Sequence, residues 1–294
     1  MQKKFMLAFF TASILLFSTG YAFCQPRAKM IQPPAFTAKA AYVKPQDVDQ
    51  AAWDAIEPYF LPPDNPLKKK LDRLFSTSRL TSSSKALKAA GFTPLEDKEQ
   101  DLIVATHPEL PGYLIKLYYD NHNVKDRPGM PGEGQYWINR ILGVERVNNS
   151  IRKHNYENIF VVPDKWIYPL PNKPAPTCLN SAACFPKHFV LVSIELNLVS
   201  HKENEKLYKE ISDPKILEAL YTVMQESHLY DSVYIDNNIF TREGKIAFID
   251  TEDFDRKPIL FNEMTVYFNP DMQRYWLKLL QERGATIKAK TSNE

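Results

Sequence analysis

The residues best suited to chemistry lie in one run, DSVYIDNNIFTREGKIAFIDTE, from Asp231 to Glu252. Asp231, Asp236 and Asn237 stand at its start, and Asp250 and Glu252 at its end. Asn238-Ile239-Phe240 is a short apolar step, and Thr241 to Gly244 reads as a turn in which Gly244 supplies a positive φ. Lys245 to Ile249 alternates and then becomes wholly apolar, as a half-buried strand does. Such a hairpin carries Asn237 at one mouth and Asp250 at the other, so an amide oxygen meets a carboxylate. Hard oxygen ligands of this kind suit Mg²⁺ held against phosphates. The plainer alternative is a hairpin with two solvated acids, since Asp is common at turns.

Other elements must bring a counter-charge to that hairpin. Leu102 to Ala105 reads as a strand, His107 to Gly112 as a turn, and Tyr113 to Tyr118 as a second strand with Lys116 among apolar neighbours. A lysine there needs a partner for its ammonium, or else it snorkels to the surface. Glu133 to His154 is the strongest helix, with Trp137, Ile138, Ile141, Val144, Val147 and Ile151 recurring every three or four residues. Strands follow at Asn158 to Val162, Asp164 to Tyr168 and His188 to Ile194, the last running into Glu195-Leu196-Asn197-Leu198. Ser212-Asp213-Pro214 starts a helix that delivers the chain to Asp231. Asp271 to Glu282 reads as a final helix after an irregular stretch from Pro258 to Phe268. Upstream, Asp47 to Tyr59 and a segment starting at Asn65-Pro66 are helical, Thr77 to Ser84 is a hydroxyl-rich linker, and Lys85 to Ala90 is a short helix ended by Gly91.

This set of five strands and one long helix leading into a connector resembles the protein-kinase-like fold, especially its atypical bacterial and small-molecule phosphotransferase branch. The strand end Ile249-Asp250-Thr251-Glu252 is similar to that family's metal-binding strand. Asn237 lies thirteen residues before Asp250, the family's spacing, and Gly244 falls at its hairpin glycine. The resemblance implies an α+β, bilobal architecture: a helical extension over residues 46–84, a small antiparallel-sheet N-lobe with hinge over 85–198, and a reduced helical C-lobe over 199–294. It implies ATP and Mg²⁺ as cofactors. Lys116 would hold phosphates and pair with Glu145, with Glu133 as runner-up. The segment of Glu195 and Asn197 would hold adenine through its backbone, Asn237 and Asp250 would hold the metal, and Asp231 would be the base, with Asp236 or Glu252 as substitutes. The sequence also departs from the pattern. Ser232, not Asp231, stands five residues before Asn237; no glycine-rich motif lies between Phe92 and Gln100; and 44 residues follow Asp250, too few for the usual protein-substrate platform. Two functions follow from the resemblance: an exported kinase-like phosphotransferase with an unknown small-molecule or protein acceptor, or an exported kinase-fold pseudoenzyme acting as a binding or scaffolding module. An unrelated α+β exported protein with structural acids is the third reading.

Composition sets the remaining bounds. The chain has 294 residues, 44% of them apolar, and prolines (22) outnumber glycines (9), which favours loops and extended connectors. Residues 1–22 read as an export signal: Lys3 and Lys4, an apolar run from Phe5 to Phe17, and small residues before a cleavage point at Ala22. That run is too short and interrupted for a membrane span. Residues 23–45 read as a flexible leader, and Cys24 lacks a good lipobox context. Removing the signal lowers the formal charge from +2 to zero, which argues against nucleic acid as a partner. Cys178 and Cys184, with five residues between them in CLNSAAC, favour a local disulfide in an exported protein, in the periplasm or outside the cell.

Overall fold

The central strand is the most apolar one. Phe189–Ile194 forms β6, and its first five residues are buried, so both of its faces are covered. In this computed structural model, which describes residues 42–95, 102–123, 132–176, 178, 184–255 and 258–285, β6 lies between β3 (Tyr113–Leu117) and β5 (Lys165–Pro169). With β1 (Thr93–Pro94) and β2 (Ile103–Thr106), they make a five-stranded antiparallel sheet in the order β1-β2-β3-β6-β5.

The two faces of this sheet have different partners. Ile115 and Leu117 point to one face, where α2 (Pro66–Thr77) buries Leu67, Leu71, Leu74 and Phe75 against them. Asn65 caps α2 by accepting the Leu67 N–H at 2.9 Å, and Pro66 fits its first turn. Successive strand residues alternate in direction, so Lys116 and Tyr118 point to the opposite face. There α1 (Gln50–Ile56) and the first half of α4 (Glu133–His154) pack Trp53, Ile56, Trp137 and Ile141 against Ile167, Phe189 and Leu191. Lys165 shares the parity of Ile167 and so also points toward α4. A short helix, α3 (Ser84–Ala89), completes the segment before β1.

A second, three-stranded sheet has the order β4-β8-β7, formed by Phe160–Val161, Ile246–Phe248 and Asn238–Phe240. Gly244 turns the β7–β8 hairpin at φ +83°, the left-handed region anticipated for it. Around this sheet lie α5 (His201–Glu210), α6 (Pro214–Ser227), a 3₁₀ helix at Phe261–Tyr267 and α7 (Pro270–Glu282). Val144, Val147 and Ile151, from the second half of α4, enter their core. One helix thus joins two hydrophobic clusters, and its middle lies where they meet.

The chain is mixed α+β, with most elements where the residue pattern put them. Three differ. Asn158 to Val162 was expected in the first sheet, but β4 pairs parallel with β8; the fifth strand of the first sheet is β1, held by Leu95 N–H donating to Val104 O at 2.8 Å. Helix α5 has no counterpart in the sequence reading, although Ser200 accepting the Glu203 N–H is a recognisable start. Pro258 to Phe268 contains a 3₁₀ helix in place of irregular chain. All described residues belong to one unit, Lys39–Glu294. The expected signal, the leader up to residue 41 with Cys24, and much of the Phe92 to Gln100 segment lie outside the described residues; the end of the expected flexible leader is instead docked, with the Tyr42 hydroxyl donating to Leu61 O at 2.8 Å. Cys178 and Cys184 form a disulfide with Cα atoms 5.2 Å apart. Among the described residues, no helix is long and apolar enough to cross a membrane.

Asn204 ties α5 to the loop that carries the acids. It is fully buried, donates to Ile235 O at 2.9 Å and accepts the Phe240 N–H at 2.9 Å. Asn204→Leu is expected to strand both backbone groups and lower unfolding free energy by about 2–4 kcal/mol, measured by urea denaturation. A loss under about 0.5 kcal/mol would show that this tie contributes little.

Candidate functional site

The end of β8 and the middle of α4 meet in a buried polar cluster. α4 approaches so closely that a Cβ on Gly143 would overlap the Thr251 carbonyl oxygen. The Thr251 hydroxyl donates to Arg140 O at 2.7 Å, which fixes the segment after β8 to the helix. Lys165, reaching across from β5, donates to Ile249 O at 3.1 Å and to the Thr251 hydroxyl at 3.0 Å. Three elements are therefore pinned at one point by two side chain–backbone bonds and one between side chains.

Arg140 is the centre of the cluster. Its side chain is 1% exposed, and its guanidinium donates to Asp250, to Glu252 and to the Tyr136 hydroxyl. The guanidinium carbon lies 4.8 Å over the Tyr136 ring, and the Tyr136 hydroxyl donates to Glu252 at 3.0 Å. Burying such a charge costs several kcal/mol unless carboxylates surround it, as they do here. Burial works against the Arg140 charge, but Asp250 and Glu252 outweigh it and keep the group protonated. Burial also opposes the Asp250 charge; Arg140 and Lys116 overcome that and hold its carboxyl well below the usual range. Glu252 goes the other way. Burial, reinforced by neighbouring Asp250 and opposed by Arg140, pushes it up to about 8. Burial and the Arg140 charge lower Lys116, and burial with Lys116 and Arg140 puts Lys165 well below the usual lysine range.

This cluster floors a cleft of about 480 Å³ between the two sheets. Its walls are aliphatic: Leu102, Val104 and Leu114 from β2 and β3, Leu196 and Leu198 from the connector after β6, and Ile239 from β7. Lys116, Arg140, Asp250 and Glu252 line its polar end. An apolar slot leading to a cationic floor accepts a flat ring with an anionic substituent.

The expected site residues divide into those gathered here and those placed elsewhere. Lys116 and Asp250 line the same cleft, so the cation of the first sheet does face the carboxylate of the hairpin. Asn237 is close by, its backbone carbonyl accepting from Ile249 N–H at 3.1 Å and its side chain donating to Asp231 O at 3.0 Å. Asp231 lies beside Asp250 and Asp253, and its Oδ1 is buried without a hydrogen-bond partner. Burial, then the charges of Asp250 and Asp253, push its carboxyl up to about 7.

Glu145 is not in the cluster. It is exposed and sits beside Tyr59, while Arg140 stands next to Lys116. The runner-up, Glu133, accepts from His188 N–H at 3.1 Å and faces Lys187, at a different place on the sheet; burial pushes it up to about 7. Glu195 and Asn197 are exposed, and one backbone group of each is engaged: Glu195 N–H donates to Gly112 O and Asn197 O accepts from Arg242 N–H. The cleft face of that connector comes from Leu196 and Leu198. Asp236 is exposed and bonded to His201 at 2.7 Å, away from the floor. Arg140, Lys165 and Tyr136 escaped the sequence reading. The available signal was a charged residue inside the apolar stripe of α4 and a lysine opening an apolar strand.

The residues do not fit the expected divalent cation. The Asp250 carboxylate is ion-paired with Arg140, and Arg140, Lys116 and Lys165 all crowd the position. Among the described residues, no group of three or more His, Cys, Asp or Glu side chains could hold a metal ion. Compared with known protein families and with curated proteins, the sequence matches none.

Two outcomes test this account. Arg140→Met should leave buried Glu252 and partly exposed Asp250 without their partner and cost about 3–5 kcal/mol in urea unfolding. Combining it with Asp250→Asn and Glu252→Gln should restore part of that loss; a triple variant as unstable as the single one would contradict the pairing. Asp231 generates a pH dependence. Its folded pKa of about 7 exceeds the unfolded value, so the folded state holds a proton that the unfolded chain releases. Its contribution is full below the unfolded pKa and is lost as pH rises through about 7. Stability of the native chain should therefore fall more steeply than that of Asp231→Asn from mildly acidic to neutral pH. Parallel curves would refute the assignment.

Proposed function

We propose that the chain is a kinase-like binding module whose cleft takes a nucleotide-type ligand, a flat ring on the aliphatic walls and a phosphate toward Lys116 and Arg140. The observation that carries this reading is the composition of the cleft: aliphatic side chains along its length, and a polar end where Lys116 and Arg140 stand beside Asp250 and a Glu252 whose carboxyl is held above the usual range. Phosphate bound there gains charge-assisted hydrogen bonds in a low-dielectric site. The kinase-like reading draws further support from the element order and from Lys116 and Asp250 lining one cleft. The ion pair between Arg140 and Asp250 favours binding over phosphoryl transfer, because it neutralises the carboxylate that the hairpin offered to a metal.

One observation favours a second reading, group transfer to an acceptor hydroxyl. Asp231 has a buried, unbonded carboxylate oxygen and a pKa near 7, the range in which a side chain serves as general base at neutral pH. A kinase-like fold does not fix which group is transferred. The localisation that belongs to both readings is outside the cytoplasm, supported by the Cys178–Cys184 disulfide.

Thermal-shift titration of the purified protein with adenine and guanine nucleotides tests the binding reading. The melting temperature is expected to rise at millimolar nucleotide, and Lys116→Met should remove most of the rise. No shift with any nucleotide would dismiss it. Incubation with ATP labelled on the γ-phosphate separates the two readings: label retained in ATP supports the binding module, whereas turnover lost in Asp231→Asn supports transfer.

A further inference from the structure

Arg140 stands where a metal would have to bind. Its guanidinium approaches Asp250 and Glu252 from the α4 side and is almost wholly buried. It is held from three directions: the carboxylates in front, the Tyr136 ring and hydroxyl alongside, and the Thr251 bond to the Arg140 carbonyl behind. The Thr251 hydroxyl, donating to Arg140 O at 2.7 Å, ties the helix to this segment, and Gly143 lets the two backbones come that close. A guanidinium stays protonated at any working pH and is weakly hydrated, so it can serve as a permanent interior charge. An incoming divalent ion would have to separate a buried ion pair and then sit beside displaced Arg140, Lys116 and Lys165. Like charges at such range in a low-dielectric interior repel strongly. A phosphate group meets the opposite situation, with Lys116 and Arg140 lining the end of the cleft it would enter.

Resting on the nucleotide-type reading above, we propose that the cleft binds its ring-bearing phosphate ligand in metal-free form, with Arg140 as the resident cation in place of a divalent ion. The ligand class is thus a free nucleoside phosphate or a close analogue, and the complex of a nucleotide with Mg²⁺ is a poorer ligand. Magnesium bound to the phosphates removes two negative charges from the species that Lys116 and Arg140 attract, so the metal competes with the protein for the same oxygens.

Isothermal titration of the wild-type protein with AMP, ADP and ATP, each in EDTA and again in excess MgCl₂, tests this directly and needs no variant to fold. Binding in EDTA is expected, with affinity for ADP and ATP weaker in MgCl₂ by more than about threefold. Equal or tighter affinity for ADP or ATP in MgCl₂ overturns the proposal while leaving the nucleotide reading intact. Absence of binding in both buffers overturns the nucleotide reading itself, and this inference with it. Electron paramagnetic resonance of Mn²⁺ supplies an independent readout. The free-ion signal should be unchanged on adding the nucleotide-free protein, whereas a signal lost with wild type and restored with Asp250→Asn would place a metal at this carboxylate.

Discussion

A single buried guanidinium constrains the arrangement of this molecule. Arg140 keeps its proton and is almost wholly shielded from water, so most of its charge must be answered from within. Asp250 and Glu252 supply the answer, and they lie more than a hundred residues away in sequence, on the strand end of a hairpin in a different sheet. The chain can satisfy Arg140 only if β8 ends against the middle of α4. That requirement explains the closeness of the packing there. Gly143 is the residue that lets the Thr251 backbone approach, and the Thr251 hydroxyl, donating to one backbone carbonyl while accepting from Lys165, fixes the contact.

The same constraint shapes the cleft. α4 contributes its first half to the core beneath the five-stranded sheet and its second half to the core around the hairpin. The cleft opens beside the junction, where the wall residues of β2, β3 and β7 face one another across a gap that no side chain fills. An apolar core at this junction would have been simpler to stabilise, since replacing buried ion pairs by packed hydrophobic residues is often neutral or better. Lys116 and Arg140 beside Asp250, with the Glu252 carboxyl held above its usual range, put a positive charge at the cleft's inner end that an apolar junction would lack. Under the binding reading proposed above, that charge is what would favour an anionic ligand.

Much of the scaffold was legible because it follows from periodicity and capping. Glu133–His154 and the buried stripe of α2 could be read from spacing alone, and Gly244 marked its turn by conformational freedom. The pairing of β4 could not be read, since two short apolar strands separated by a turn look adjacent in sequence and carry no signal of which sheet each joins. The site was harder still. Lys116 and Asp250 were visible as a lone cation in an apolar strand and an acid at a strand end. Their partner was misassigned to Glu145 because the helix was read for its apolar residues, and a charge opposite Lys116 was sought on the rim of that stripe. Five residues separate Glu145 from Arg140, a rotation of about 140° around an α-helix, so the two cannot face the same way. The residue that does face the cleft lies inside the stripe, where a charged side chain reads as an interruption.

Arg140 also shows why a matching spacing does not by itself transfer a role. Asn237 and Asp250 keep the separation that a metal site in the resembled family would need, and the hairpin holds them close. What decides the chemistry of Asp250 is the charge nearest to it, and that charge comes from a helix the hairpin motif does not include. Replacing a solvated ion by a tethered guanidinium changes the kind of function such a carboxylate can have. A metal ion arrives with its ligand and leaves with it, and can stabilise charge that develops during a reaction. A guanidinium locked by Tyr136, Glu252 and the helix backbone is present before the ligand and unchanged after it. Charge fixed in that way suits recognition, because it lowers the free energy of a bound anion without the reorganisation that a moving cation requires.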